Sequence, residues 1–293
     1  MSTQSTQVPS IAPASVPSQP TLLMCPPRFY DVSYVINPWM AGNLHAASQH
    51  RATQQWNGLY KALCNIAKVV LIEPHPSLPD MVFTANAGLH QGDFVIPTRF
   101  SCPERRFEET FFRRWFLDSG YTLIDLPDSI SFEGEGDALF SSDVPRLWAG
   151  WGMRTQQGSH AFLAQALDVE VISLRLVDPR FYHLDTCFAP LTDGYVMYFP
   201  GAFDAEALAR IRQLHHPDRC IPVSLADASR FACNAINIGR DILLNQVSRE
   251  LFDRLSQEGF NVTALPLDEF IKAGGAAKCL VMQLGPAVPP PLD

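Results

Sequence analysis

The sequence predicts a single α/β domain built from a repeating unit, and three observations support this. Hydrophobic residues make up 47% of the 293 residues, which is enough apolar material for a large core. Amphipathic, helix-like stretches alternate with short apolar strands along the chain. The strands that follow the helices recur about every 50 residues, a spacing typical of solenoids, propellers and arrays.

Five stretches have the hydrophobic spacing of an amphipathic helix. They cover residues 48–68, 104–119, 159–167, 204–214 and 247–257. In the second of them, four aromatic residues recur at helical intervals: Phe107, Phe111, Phe112 and Trp115. Each helix is followed by a β-rich apolar strand, and these strands start at residues 69, 121, 169, 220 and 260. Four of the five strands run into Pro, which is a stop signal.

After each strand comes a polar segment, and after each polar segment a second apolar strand. The polar segments are FTANAG (83–88), FEGEGD (132–137), FYHLD (181–185), FACNAIN (231–237) and GGAAKC (274–279). The second strands are FVIP, ALFSS, YVMYFP, ILLN and LVMQL. Five units in one domain favour a closed ring over an open stack, which would need polar capping repeats. An ordinary α/β sheet with alternating elements stays open as the alternative.

The two ends of the chain differ in composition from the rest. Residues 1–21 carry no charge and are rich in Ser, Thr, Gln and Pro, so we expect a mobile tail. Residues 286–293 form a Pro-rich stub, and 22–285, without any internal linker, would be the single folded domain. No secretory signal and no apolar run long enough to span a membrane is found.

Charge and cysteine usage narrow the function classes. The net charge of −8 provides no cationic surface for nucleic acid or an anionic membrane, whereas a cationic small molecule would be attracted. The seven cysteines are odd in number, irregularly spaced and without a CxxC pair. We therefore expect a reducing compartment such as the cytoplasm, with mostly inert thiols and one that could be reactive.

The polar segments hold the same place in every unit, so in a ring they would converge on the axis. The axis would then be lined by Asn86, Glu133, Glu135, Asp137, His183, Asp185, Asn234, Asn237 and Cys279. A cysteine, a histidine and carboxylates in one pocket provide a nucleophile with its acid and base. HExxH, Cys–His zinc spacing, the P-loop and the dinucleotide fingerprint are all missing, so we expect neither a metal nor a nucleotide cofactor.

Each of these residues also has an ordinary explanation. Cys279 could be a small buried hydrophobe, and His183 a core histidine. Two glycines at 274–275 and the adjacent Lys278 favour a special role for the cysteine. Asp185 follows His183 by two residues and would share a strand face with it. The acidic residues of EGEGD could be side chains on a turn that have no function. The sequence also leaves open which of the two glutamates in this motif faces the pocket.

Four motifs in order, LPDMVFTAN, FEGEGD, FYHLDT and GGAAKC, resemble the guanidino-group modifying superfamily, the penteins. The resemblance covers nearly all of 22–285 and implies a five-bladed, pseudo-symmetric α/β propeller. It implies that Cys279 is the nucleophile and His183 the general acid and base. Glu133 would orient His183 or hold the guanidinium, and Asp185 would also bind the guanidinium.

Two departures point to one branch of that superfamily. Asn86 stands where the deiminases and dimethylaminohydrolases have an Asp, and EGEGD has one residue more than the usual EGGD. Both features, and the opening CPPRFYDVSYVINPWM, look like the arginine dihydrolase branch. That branch takes arginine to ornithine, two ammonia and carbon dioxide, and the chain would stop at ornithine because the fused ornithine-processing domain is missing. The resemblance gives Asn37, Arg105 and Arg154 as substrate contacts; the alternative for the arginines is a solvated surface position.

Several other functions stay open at this point. An arginine deiminase or a dimethylarginine dimethylaminohydrolase would use the same scaffold with a different product. A non-catalytic ligand-binding protein would have the propeller fold but no enzymatic activity. A metal-dependent ureohydrolase would need a His and Asp cluster that the sequence lacks. The sequence does not settle the oligomeric state, and a homo-oligomer stays open.

Overall fold

The computed structural model describes residues 19–285, and the expected stub 286–293 lies outside this range. Residues 1–18 of the expected tail (1–21) also lie outside the described range, whereas its last residue, Thr21, belongs to the fold. Thr21 begins the first strand, and the carbonyl of Pro20 accepts a hydrogen bond from the backbone N–H of Lys68 at 2.9 Å. The first strand therefore includes Thr21, one residue before the predicted boundary at residue 22.

Residues 19–285 contain fifteen strands and seven α-helices. The strands are β1 Thr21–Met24, β2 Lys68–Leu71, β3 Gly88–Gln91, β4 Phe94–Pro97, β5 Thr122–Leu123, β6 Ala138–Phe140, β7 Arg146–Trp151, β8 Glu170–Arg175, β9 Phe188–Leu191, β10 Tyr195–Tyr198, β11 Cys220–Pro222, β12 Ile236–Ile238, β13 Asp241–Asn245, β14 Asn261–Leu265 and β15 Met282–Leu284. The helices are α1 Gln49–Cys64, α2 Glu108–Asp118, α3 Gly158–Leu167, α4 Ala205–Leu214, α5 Leu225–Ala228, α6 Arg249–Gln257 and α7 Asp268–Ile271.

The strands form five sheets of three strands each. In four sheets, an antiparallel hairpin is followed by a helical crossover and a third strand parallel to the middle one, as in β3–β4–β5. The fifth sheet joins the two ends of the described chain. There β15 pairs antiparallel with β1, and β1 pairs parallel with β2. The expected α/β class is therefore confirmed.

The repeating unit has one strand more than the sequence predicted. FVIP, YVMY and ILLN are middle strands, whereas ALF and MQL are the first strands of their sheets. The strands missed before the middle position, β3, β9 and β12, have only three or four residues each. Three or four residues are too few to show the alternation of apolar and polar residues that identifies a strand in a sequence. Whether such a segment forms a strand depends on its hairpin partner.

All five predicted helices are present; four are shorter than predicted, whereas α3 begins one residue earlier than predicted. α1 begins after Ser48, whose side chain accepts a hydrogen bond from the N–H of Arg51. α3 ends at Asp168, which adopts a left-handed conformation at φ 52°. The aromatic stripe on α2 packs only in part: Phe112 is fully buried, whereas Phe107 precedes the helix and is 75% exposed.

Among residues 19–285, no helix has both the length and the apolar character that a membrane span requires.

Candidate active site

Hydrogen bonds connect the five polar segments in a closed cycle. The first three segments are joined by side chains that the sequence singled out. Nδ2 of Asn86 donates to the carbonyl of Glu133 at 3.1 Å, and Oε2 of Glu133 lies 2.7 Å from Nε2 of His183. Asp137 accepts from the backbone N–H of Leu184 at 3.0 Å, which fixes the third segment against the second.

The remaining contacts complete this cycle. Nδ2 of Asn234 donates to the carbonyl of Asp185 at 3.1 Å, and Oδ1 of Asn234 accepts from the N–H of Cys279 at 3.1 Å. The carbonyl of Cys279 accepts from the N–H of Ala85 at 3.1 Å, which returns to the first segment. The cluster expected from the repeat therefore forms, with residues almost 200 positions apart in contact.

The local backbone of these segments differs from the expectation. His183 and Asp185 do not share a strand face, because Leu184–Thr186 form a 3₁₀ turn and His183 stands just before it. Similar 3₁₀ turns cover Thr84–Ala87 and Gly134–Gly136. A 3₁₀ helix has three residues per turn, so side chains two positions apart point in different directions.

Glycines make two close approaches possible. A Cβ on Gly136 would lie 2.3 Å from Nδ2 of Asn86 and 3.3 Å from the ring of His183. Gly274 has φ +87°, and a Cβ there would lie 2.7 Å from the hydroxyl of Tyr182. The tight turn expected before Cys279 is therefore present, and only glycine fits it.

The thiol of Cys279 is buried, with 3% of the residue exposed. Its Sγ donates to Oδ2 of Asp185 at 3.4 Å and accepts from Nδ2 of Asn234 at 3.0 Å. Burial raises the pKa of this thiol well above its usual value, and the carboxylate of Asp185 raises it further. In the free protein the sulfur is therefore held as a thiol, and an incoming cation would favour the thiolate.

The carboxylate of Glu133 is surrounded by donors. Oε1 accepts from the hydroxyl of Ser101 at 2.7 Å and from its N–H at 3.1 Å. Oε2 accepts from Nη1 of Arg154 at 3.3 Å and contacts His183. Burial alone would raise the pKa of Glu133, but the hydrogen bond to His183 and the charge of Arg154 outweigh it and lower that pKa. Both oxygens are therefore engaged by described residues, and one of them contacts the His183 ring.

The carboxylate of Asp185 has a free oxygen. The residue is fully buried, and its Oδ1 has no hydrogen-bond partner in the structure. Burial raises the pKa of Asp185 to about 6, and the positive charges of His183 and Lys278 oppose that rise. An unpartnered buried carboxylate oxygen is costly, and a bound cation beside Cys279 would remove that cost.

Cys279 lies in a narrow cleft. The cleft is lined by Ile36, Asn37, Met40, Asp80, Phe83, Asn86, Arg105, Arg154, Tyr182, Ala273 and Cys279. Asp80 was not singled out from the sequence, although it belongs to the LPDMVFTAN motif. Its Oδ2 accepts from the hydroxyl of Tyr34 at 2.9 Å, whereas its Oδ1 is buried without a partner. Nothing in the sequence distinguishes this acid from an ordinary loop acid, because its burial depends on distant segments.

Both arginines expected from the resemblance line this cleft. Arg105 is buried at 3% exposure and forms a two-pronged pair with Glu108, at 2.9 and 2.7 Å. Its Nη1 donates to Oδ1 of Asn86 at 2.8 Å. Arg154 is also buried, and its Nη2 donates to the carbonyl of Ile36 at 2.7 Å. The alternative of solvated surface arginines is therefore wrong.

Asn37 reaches the same cleft from the long loop after β1. Its Nδ2 donates to the carbonyl of Ala273 at 3.0 Å, and its Oδ1 accepts from the N–H of Trp39 at 2.9 Å. This arrangement ties the loop to the segment before Cys279. The structure therefore places all eight candidate site residues in one connected region.

Two other axis residues, Glu135 and Asn237, lie elsewhere. Nζ of Lys278 pairs with Oε2 of Glu135 at 2.7 Å, and both line a separate, larger cavity together with Asn237. The ammonium group of Lys278 is therefore engaged by Glu135 and not by the sulfur of Cys279. Of the two glutamates in EGEGD, Glu133 faces the histidine and Glu135 does not.

A buried cysteine, a histidine paired with a glutamate, and two carboxylates that each have one unpartnered oxygen define a candidate site in an α/β protein. The chain belongs to the family of N,N-dimethylarginine dimethylhydrolases, whose eukaryotic model matches residues 37–285. The resemblance drawn from the four motifs is thereby confirmed.

Curated relatives agree with this family. The chain is 51% identical over 263 residues to the bifunctional arginine dihydrolase/ornithine cyclodeaminase ArgZ of Synechocystis, with 90% of this chain and 37% of ArgZ covered. It is 51% identical over 262 residues to AgrE of Nostoc, covering 89% of this chain and again 37% of the relative. The chain thus spans little more than a third of these two relatives. It is 39% identical to the N(G),N(G)-dimethylarginine dimethylaminohydrolase of Mycobacterium tuberculosis, with 90% and 85% covered.

Solved structures are also similar. An Asn→Ser variant of the N-terminal domain of ArgZ, covalently bound to a reaction intermediate, matches with a TM-score of 0.91 at 50% identity, covering 92% of this chain and 100% of that one. A Cys→Ser variant of that domain, bound to substrate, matches with a TM-score of 0.89 at 50% identity, covering 90% and 98%. A dimethylarginine dimethylaminohydrolase adduct matches with a TM-score of 0.77 at 17% identity, covering 90% and 99%, which shows the fold alone.

Proposed function

We propose that the chain is an arginine dihydrolase, which hydrolyses L-arginine to L-ornithine, ammonia and carbon dioxide. One observation carries the proposal. Sγ of Cys279 lies 3.4 Å from Oδ2 of Asp185, whose other oxygen is buried without a partner. A planar cation bonded to that carboxylate would have its central carbon beside the sulfur, and charge-assisted hydrogen bonds of this kind are strong. Arginine is a small substrate that supplies such a cation.

We also propose that the five sheets are blades of a closed, pseudo-fivefold α/β propeller. The pairing of β15 with β1 and the hydrogen-bonded cycle through Asn86, Glu133, His183, Asn234 and Cys279 support it. A ring would bring equivalent segments to its axis, where the cycle lies.

The rest of the cleft matches the amino acid end of arginine. The unpartnered Oδ1 of Asp80 would receive the α-ammonium group. Arg154 would bind the α-carboxylate, because its Nε has no partner among the described residues. Arg105 would donate one further hydrogen bond to the α-carboxylate from its Nη1. Its other N–H groups are already bonded to Glu108, the carbonyl of Asp80 and Asn86. Asn37 would hold the loop that closes over the substrate.

The first hydrolysis would use Cys279 and His183. As the guanidinium binds, the thiol would pass its proton to His183, and the thiolate adds to the guanidinium carbon. His183 protonates the departing nitrogen, so ammonia leaves and a thiouronium stays on the sulfur. His183 then takes a proton from water, which attacks the same carbon and expels the thiolate. Citrulline is the product of this stage, and acid–base help of this kind is worth about 10²–10⁴-fold in rate.

The second hydrolysis would act on the neutral ureido group, and here Asn86 matters. The thiolate adds again, a second ammonia leaves, and water releases a carbamate that decomposes to ornithine and carbon dioxide. Asn86 offers an N–H that is not used by Glu133 and an oxygen already held by Arg105. An amide can hold a neutral urea oxygen without leaving a buried carboxylate unpaired, which would be costly.

Two features of the relatives support this assignment. The Asn and the Cys replaced in the two ArgZ structures are separated along that chain by the same number of residues as Asn86 and Cys279. Those structures contain a covalent intermediate and a substrate, respectively. Because all seven cysteines of this chain are unpaired, we also propose a reducing, cytoplasmic location.

The second candidate is a dimethylarginine dimethylaminohydrolase, which the family model and the mycobacterial relative favour. It differs from the dihydrolase and from a deiminase in its products. Incubation with arginine, citrulline and dimethylarginine, followed by mass spectrometry, separates ornithine, citrulline and dimethylamine. We expect ornithine from both arginine and citrulline, whereas dimethylamine would identify the second candidate.

Two further controls address the remaining classes. A non-catalytic binding protein would release no ammonia from arginine, and Cys279→Ala would change nothing. A metal-dependent ureohydrolase would produce urea and would be silenced by a chelator. We expect activity to persist in the presence of chelator and to vanish in Cys279→Ala.

A further inference from the structure

Asn234 holds the nucleophile through its whole side chain. The residue is fully buried, and Nδ2 donates to Sγ of Cys279 at 3.0 Å and to the carbonyl of Asp185 at 3.1 Å. Oδ1 accepts from the N–H of Ala276 at 3.0 Å and from the N–H of Cys279 at 3.1 Å. These four bonds use both N–H donors and both acceptor positions of the amide.

The arrangement fixes which end of the amide faces the sulfur. Two backbone N–H groups require an oxygen at one end, and the carbonyl of Asp185 requires a donor at the other. The second N–H is therefore directed at Sγ and cannot turn away without breaking the other bonds. A donor aimed at sulfur is of little use to a thiol but is valuable to a thiolate, because hydrogen bonds to ionised acceptors are about twice as strong.

The electrostatics around Cys279 make such a donor necessary. The side chain is removed from water, and its second partner is the carboxylate of Asp185, which repels negative charge on the sulfur. The nearby cation Lys278 is engaged by Glu135 on the far side. Among the described residues, Asn234 is the one side chain whose N–H contacts this sulfur.

We propose that Asn234 is a catalytic residue that stabilises the Cys279 thiolate by a hydrogen bond and holds the turn that presents it. Its importance for turnover depends on the function proposed above, whereas its effect on the sulfur does not. In the free protein, where the sulfur is held as a thiol, this donor stabilises the thiolate fraction. Loss of the donor slows every reaction that uses this thiolate.

The test measures the sulfur directly, without arginine. Iodoacetamide reacts with the thiolate, forming a sulfur–carbon bond and releasing iodide, and peptide mass spectrometry reports the modification of Cys279 alone. The key variant is Asn234→Asp, which is nearly isosteric. One carboxylate oxygen still accepts from the two N–H groups, but the other replaces the donor with a negative charge facing Sγ.

We expect the alkylation rate of Cys279 in Asn234→Asp to fall about tenfold at pH 8, and its pH profile to move to higher pH by about one unit. Asn237→Asp is the matched control. Asn237 lies in the same segment, but its amide donates to the carbonyls of Gly239 and Asp241, away from the sulfur. Its alkylation rate should equal that of the parent.

If Asn234→Asp does not fold, Asn234→Ser provides the same readout, since its shorter hydroxyl cannot make all four bonds. Circular dichroism and thermal unfolding identify which variants are folded. A folded Asn234 variant that is alkylated at the parental rate, with an unshifted pH profile, would overturn the inference. A parent that is alkylated as expected but does not turn over arginine would instead contradict the proposed function.

Discussion

Nε2 of His183 lies 2.7 Å from Oε2 of Glu133, and both residues are buried. The other oxygen of this glutamate is held by the hydroxyl and the N–H of Ser101. The imidazole therefore has one nitrogen fixed by a carboxylate that is itself fixed. The contact sets the orientation of the ring.

Replacement of the Glu133 carboxylate should impair His183 as the general acid and base. For Glu133→Gln we expect kcat/KM for arginine to fall by roughly 10²–10⁴-fold, because the amide neither stabilises the imidazolium nor fixes the ring. Steady-state ammonia release measures the effect. Glu104→Gln, at an exposed position, is the control and should match the parent. Parental activity in Glu133→Gln would show that the ring needs no carboxylate.

The raised pKa of Asp185 predicts that kcat/KM for arginine falls at acidic pH. Burial raises this pKa to about 6, so below that pH the carboxyl of the free protein becomes neutral and cannot hold a cation. Since kcat/KM reports the free enzyme, its value for arginine should fall about tenfold per unit below pH 6. Citrulline, which is neutral, should show a shallower decline. Equal decline for both substrates, with the fold intact by circular dichroism, would contradict a role of Asp185 in cation binding.

Asn86 should control which product leaves. In Asn86→Asp or Asn86→Ser, the amide that holds the neutral ureido oxygen is lost, so we expect citrulline to accumulate at the expense of ornithine. Asp also loses the donor to the carbonyl of Glu133. The citrulline-to-ornithine ratio is measured by mass spectrometry over the time course. An unchanged ratio would rule out this explanation of the second hydrolysis.

The pair of Arg105 and Glu108 should matter for stability as well as for the site. Both side chains are almost completely buried. Glu108→Ala leaves a buried guanidinium without its partner, which typically costs about 3–5 kcal/mol. Urea unfolding measures the loss. Asp118→Ala, which breaks the exposed pair with Arg114, is the matched control and should change stability little. Similar stability losses for the two variants would show that burial of the first pair is unimportant.

The sequence predicted the cluster through the repeat, because equivalent segments of equal units must lie in equivalent places. Cys279, His183, Glu133 and Asn86 were found in this way, together with the helices between them. The short strands β3, β9 and β12 were not, since three or four residues carry no period of their own.

Side-chain direction could not be predicted from the sequence. Lys278 adjoins Cys279, yet it pairs with Glu135 in a different cavity. Asp80 and Ser101 contribute through contacts with segments far away in the chain, and nothing local marks them. Burial and hydrogen-bond partners of this kind are set by tertiary packing, so they become visible only in the structure.

The most direct measurement is product analysis by mass spectrometry after the chain is incubated with arginine and, separately, with citrulline. The account predicts ornithine and ammonia from both substrates with the parent protein, and none with Cys279→Ala. Accumulation of citrulline alone from arginine, or equal turnover by Cys279→Ala, would contradict it.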